Sequence, residues 1–74
     1  MSKTNISNVK ARLSENIKAL RKDKGLAQER LGLESGVDRT VISKIEREIA
    51  NPSLEVLVKI SNFLGVDVID LLKK

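Results

Sequence analysis

Apolar positions recur along this chain at helical spacing, with short polar breaks between the runs. Val9, Leu13, Ile17 and Leu20 follow at intervals of four, four and three, which puts them on one helix face. They predict a first helix over about 8–24, capped by Ser7 and stopped by Gly25. The stretch from Gln28 to Arg47, QERLGLESGVDRTVISKIER, holds two shorter patterns. Leu31 belongs to a helix over 28–35 that ends at Ser35-Gly36, because glycine can take the left-handed conformation that closes a helix. Asp38 is an N-cap type, and Ile42 and Ile45 share one face of a helix over 39–47. A helix, a short turn with glycine and a second helix with a polar, basic free face make a helix-turn-helix. Gly32, inside the first of the pair, either lets the second helix pack close or is a plain local weakness.

Further on, Ser53 caps a helix over 54–64. Its core pattern is Leu54, Leu57, Val58, Ser61 and Leu64, with Ile60 alongside and Gly65 as the stop. Asp67-Val68-Ile69-Asp70 has the form of a capping box with Asp in place of Glu, and predicts a short helix over 68–72. The predicted class is all-α, with five helices and short connections. The last helix carries more apolar residues than a two-turn surface helix needs. Some close the core, and the surplus at Phe63, Val66, Val68, Ile69 and Leu72 predicts a homodimer interface. The alternative is the hydrophobic lid of a monomer.

Length and composition narrow the chemistry. Seventy-four residues make one small domain of marginal stability, and dimerisation is the usual route to more burial. The chain has no cysteine and no histidine, so disulfides and Cys/His zinc sites are excluded. No glycine-rich phosphate loop appears, and Glu34 and Asp38 read as exposed or capping groups, so no enzyme and no cofactor are expected. No apolar run is long enough to span a membrane, and the expected location is the cytoplasm. Net charge is +4, unevenly spread: residues 1–24 carry +5, residues 25–51 carry −1, and residues 52–74 balance. Such an excess serves solubility or a polyanion partner.

With a helix-turn-helix present, double-stranded DNA is the partner that suits this charge. The helix over 39–47 fits the major groove, where Arg39 and Lys44 can donate to guanine, and Thr40 and Ser43 can bond bases or phosphates. Arg47, a turn later, suits phosphate. Gln28 sits at the positive end of its helix, where amide and backbone N–H groups can hold a phosphate. Lys24 and Asn51 complete the expected phosphate contacts. Residues 1–6 read as a polar arm, either disordered or basic and close to phosphates, and residues 7–74 as the domain.

The same residues resemble the helix-turn-helix of phage Cro- and repressor-type proteins, the Xre family. The likeness rests on Gln28, Leu31, Gly32, Gly36-Val37, Ile42 and Ile45. It extends through Ile17, Leu20-Arg21 and Gly25-Leu26 on one side, and Asn51-Pro52-Ser53-Leu54 and Leu64-Gly65-Val66 on the other, covering about 14–72. The phrase Asp38-Arg39-Thr40 is similar to controller proteins of restriction–modification systems. The resemblance implies a compact repressor-like domain and a homodimeric transcriptional regulator on a near-palindromic operator. Controller and small phage-type repressor are the leading forms; an antitoxin or protein-interaction module on the same fold is the alternative. It also implies an ion pair between Arg21 and Glu46, the alternative being two solvated surface charges; Glu29 and Glu34 on the second helix read as a solvated face, with a contact to RNA polymerase, as in some relatives, as the alternative. Two positions depart from the family: Ala27 stands where Ser or Thr usually caps, and Glu48 where glycine is common. Glu48 is expected to enter a left-handed cap only with strain, and Ile49 to pack inward or meet another chain.

Overall fold

A computed structural model describes residues 4–74. The chain forms five helices: α1 (Ile6–Asp23), α2 (Gln28–Ser35), α3 (Arg39–Glu46), α4 (Leu54–Leu64) and α5 (Val68–Leu72). This is the expected all-α, five-helix class. Helix α1 starts two residues earlier than its predicted boundary. Its cap is Asn5, whose Oδ1 accepts from Asn8 N–H at 2.9 Å, and not Ser7. Both residue types can cap, but only Asn5 has the extended backbone that a cap needs. The boundary of the polar arm moves accordingly, since Ile6 is helical; Met1, Ser2 and Lys3 of that arm lie outside the described residues.

Helices α2 and α4 both stop at a glycine with positive φ, Gly36 at 77° and Gly65 at 74°. Helix α3 ends one residue short of the predicted boundary, with Arg47 as its C-cap. The next residue, Glu48, takes the left-handed conformation (φ 65°), which a residue with a side chain enters only with strain. Glu48 N–H donates to Ile45 O and Ile49 N–H to Lys44 O, each at 3.0 Å. These bonds satisfy helix-end carbonyls and hold the turn despite the side chain.

Every helix contributes to the core. Leu13 and Ile17 of α1 meet Leu31, Val37, Ile42 and Ile45 of the helix-turn-helix, and Leu57, Ile60, Leu64 and Leu71 complete the cluster. Gly32 lets α3 approach α2: a Cβ there would lie 2.6 Å from Val37 O. The predicted core face of α4 needs correcting. Leu54 is 75% exposed and Val58 44%, whereas Ile60 is fully buried. The buried set 57, 60, 61 and 64 is the ordinary i, i+3, i+4, i+7 stripe. Leu54, the first residue of α4, lies outside that stripe's buried length, and Val58 lies at its edge.

Helix α5 is fastened from outside. Asn16 Nδ2 donates to Leu71 O at 3.0 Å and Lys73 O at 2.7 Å, so α1 supplies the cap for the end of α5. The start of α5 has the Asp67/Asp70 capping box. Its Asp70 carboxyl is held below the usual range by the Asp67 N–H and by Lys73.

Candidate nucleic-acid interface

Helix α3 divides cleanly into two faces. Ile42 is fully buried and Ile45 nearly so, which pins one side to the core. Arg39, Thr40, Lys44 and Arg47 are exposed, and Ser43 is half-buried. Asp38 opens the helix by accepting Thr40 N–H at 2.7 Å. The short Asp38 side chain therefore saturates a first-turn N–H and leaves Arg39 and Thr40 free to project outward. Two guanidinium groups, one ammonium and two hydroxyls thus share an outward surface about the length of a groove contact.

Behind this face lies Glu46, the charged residue of α3 that is buried. Arg21 of α1 grips it through two bonds, Nε to Oε2 at 2.7 Å and Nη2 to Oε1 at 2.9 Å. Arg21 Nη1 also donates to Leu26 O, at 2.6 Å, fixing the α1–α2 connection. Gln28 Nε2 donates to Glu46 Oε1 at 3.0 Å. Ser14 Oγ donates to Glu46 O at 2.7 Å. Helices α1 and α2 therefore both bond to one residue of α3. Burial pushes the Glu46 carboxyl up, but bonds from Arg21 and Gln28 and the charges of Arg21 and Lys18 outweigh it. The carboxyl stays below the ordinary glutamate value, and the Arg21 guanidinium is raised above its own by the bond with Glu46.

Of the residues expected at phosphates, Lys24, Arg47 and Asn51 are exposed, while Gln28 is half-buried. The Gln28–Glu46 bond was not visible in the sequence: a glutamine opening a helix carries no sign of a partner eighteen positions on. Ala27 makes no side-chain cap bond, so the first-turn N–H groups of α2 keep their capacity for an anion. Glu48 and Ile49 are exposed at the end of α3, and Ala50 packs against the core. On α2, Glu29 is exposed and Glu34 pairs with Arg30 at 3.1 Å. Of the residues expected at a dimer interface, Phe63, Val66, Val68 and Leu72 pack partly against the core, and Ile69 is 70% exposed. Among the described residues no group of His, Cys, Asp and Glu is placed to hold a metal ion, and no helix is long and apolar enough to cross a membrane.

Comparison with known proteins agrees with this geometry. Residues 17–71 match the HTH_3 helix-turn-helix family. The control protein C.BamHI of Bacillus amyloliquefaciens is 39% identical over 67 residues, spanning 89% of this chain and 83% of its own. The crystal structure of a hypothetical transcription factor from Neisseria superposes with a TM-score of 0.85 at 33% identity, over 99% of this chain and 84% of the other. The restriction–modification controller C.AhdI from Aeromonas hydrophila gives 0.79 at 32% identity, over 84% of this chain and 94% of its own. The chain spans only 37% of the regulator SlrR of Bacillus subtilis and 39% of the immunity repressor of Bacillus phage phi105, which it also matches. The outward basic face of α3, its buried Ile42/Ile45 edge and the match over most of the chain lead to one conclusion: this chain belongs to the HTH_3 helix-turn-helix family of DNA-binding transcriptional regulators.

Proposed function

We propose that the chain binds a near-palindromic operator as a homodimer, with α3 of each copy in the major groove, and acts as a restriction–modification controller or small phage-type repressor. The observation that carries this reading is the split of α3: Ile42 and Ile45 hold it down, and Arg39, Thr40, Ser43 and Lys44 line its outer side. In this reading Arg39 and Lys44 read base edges, Thr40 and Ser43 assist, and Arg47, Asn51, Lys24 and Gln28 hold phosphates. Two recognition helices related by a two-fold axis enter successive grooves about 34 Å apart. The controller form is supported by similarity to C.BamHI and C.AhdI over most of their lengths. Exposed Glu29 is the residue offered to RNA polymerase.

Selection of bound fragments from random DNA, followed by sequencing, tests the proposal. A two-fold symmetric consensus is expected, with binding that falls steeply as salt rises. Arg39→Ala then relaxes specificity at one base pair per half-site and weakens operator binding by about 1–3 kcal/mol. An equal loss on operator and random DNA would reassign Arg39 to phosphate. Failure to retain any duplex at low salt would end the DNA-binding reading.

A further inference from the structure

Asn16 of α1 reaches the far end of the chain. Its Nδ2 donates to Leu71 O at 3.0 Å and to Lys73 O at 2.7 Å, so both amide hydrogens go to carbonyls at the end of α5. Among the five residues of α5 only Leu71 is buried, so two such bonds weigh heavily in how the helix is held. Asn16, Ala19 and Leu20 line a groove with Val66, Asp70 and Lys73. A different side of α1 holds α3. Ser14 Oγ donates to Glu46 O, and Arg21, seven residues on and so on the same face, binds the Glu46 carboxylate. Ser14 and Asn16 are two residues apart and do not share a face. Helix α1 packs on both α3 and α5, which have no comparable contact with each other. Helix α4, the other neighbour of α5, packs on α2. Helix α1 is therefore the spacer between α5 and α3.

We propose that Asn16 is a positioning residue for operator recognition: by clamping the end of α5 to α1 it fixes α5 relative to α3, and so sets the half-site spacing that the dimer accepts. The proposal rests on the homodimer reading with α5 at the two-fold contact, where Ile69 is 70% exposed. In such a dimer a displacement of α5 against α3 counts twice, once in each copy. One base pair added between half-sites moves the second by about 3.4 Å and turns it by about 35°. A stiff path from α5 to α3 converts that mismatch into lost affinity, and a loose one absorbs it. Asn16 lies on neither α3 nor α5, so its replacement removes no base contact and no interface side chain.

The test uses duplexes that carry two copies of the selected half-site at graded separations, and one duplex with a single half-site. Fluorescence anisotropy compares the wild-type chain with Asn16→Ala. A shift of one base pair from the preferred spacing should weaken wild-type binding about tenfold or more, because protein or duplex must deform to reach both half-sites. The same shift should weaken Asn16→Ala by less than about threefold, while affinity for the single half-site stays at the wild-type value. A residue that served stability alone would lower binding at every spacing in proportion and leave the preference unchanged. Circular dichroism reports the folded fraction. If Asn16→Ala does not fold, Asn16→Ser takes its place: its hydroxyl is too short to span both carbonyls, and the same broadening is expected. An unchanged spacing preference in a folded variant overturns the proposal, as does a wild-type dimer that accepts all spacings equally. Loss of the fold in both variants also overturns it, by making Asn16 a requirement of the fold. A wild-type chain that binds no duplex, or that binds and sediments only as a monomer, ends the homodimer reading itself, which separates the two failures.

Discussion

Position 32 has room for a hydrogen and little else. A Cβ on Gly32 would sit 2.6 Å from Val37 O and 3.2 Å from Arg39 N, both backbone atoms of the turn and of α3. Alanine is the better helix former by up to about 1 kcal/mol. The clash is the larger effect, so Gly32→Ala should destabilise the domain by about 1–3 kcal/mol in urea or thermal unfolding. Stabilisation instead would mean that α2 and α3 can separate freely. Position 48 presents the reverse case. Glu48 occupies a left-handed cap at φ 65°, where a side chain costs roughly 1–2 kcal/mol. Glu48→Gly should therefore stabilise by about 1 kcal/mol after the extra unfolded-state freedom of glycine is subtracted. A melting-temperature rise of about 4–8 °C is expected. The sequence marked both positions as unusual. It left Gly32 open between packing and weakness, because the answer lies in a backbone atom five residues on. It marked Glu48 as a residue that strains a left-handed cap, but not that the hydrogen bonds of the turn would hold it there.

Between elements, the decisive contact is the Arg21–Glu46 pair joining α1 to α3, with side chains 13% and 3% exposed. Arg21→Met would leave a buried carboxylate with only Gln28 as a partner. The expected cost at neutral pH is about 3 kcal/mol, a large share of a small domain's stability. The pH dependence has a definite sign. In the wild-type chain the folded Glu46 value lies below the unfolded one, so its contribution is complete above the ordinary glutamate value of about 4.3 and is lost as pH falls through the lower folded value. In Arg21→Met, burial dominates and raises the folded value, so acid protonates the stranded group and relieves it. The stability gap between the two proteins should therefore narrow as pH falls toward about 4. Urea unfolding across that range measures it, and a constant gap would show that the pair acts through packing alone. Helix boundaries were legible within one or two residues, because caps and glycines act locally. The Asn16 bonds to Leu71 and Lys73 carbonyls were not, since they join positions more than fifty residues apart. The exposure of Leu54 and Val58 was also hidden, because periodicity assigns a face to a helix but not the extent to which its neighbours cover it.

For the molecule as a whole, Ile69 is the large apolar side chain of α5 that the fold leaves uncovered. At 70% exposed it contributes little to the fold, while Val66, Val68 and Leu72 beside it are already partly packed. If α5 forms the dimer contact, Ile69→Lys should leave monomer stability within about 0.5 kcal/mol. It should weaken dimerisation by about 3 kcal/mol, roughly a hundredfold, because an isologous interface counts the loss twice. Sedimentation equilibrium reads the dimer constant, and unchanged association would place the interface elsewhere. The sequence alone determined the five helices, the turn between α2 and α3, and the polar composition of the outer face of α3. Those features come from local periodicity, capping chemistry and charge, which are written in neighbouring residues. Tertiary structure alone decided that Gln28 lends an amide hydrogen to Glu46, that an asparagine of α1 caps α5, and which apolar side chains remain uncovered. Each of these depends on where distant segments meet in space, and chain spacing carries no measure of that distance.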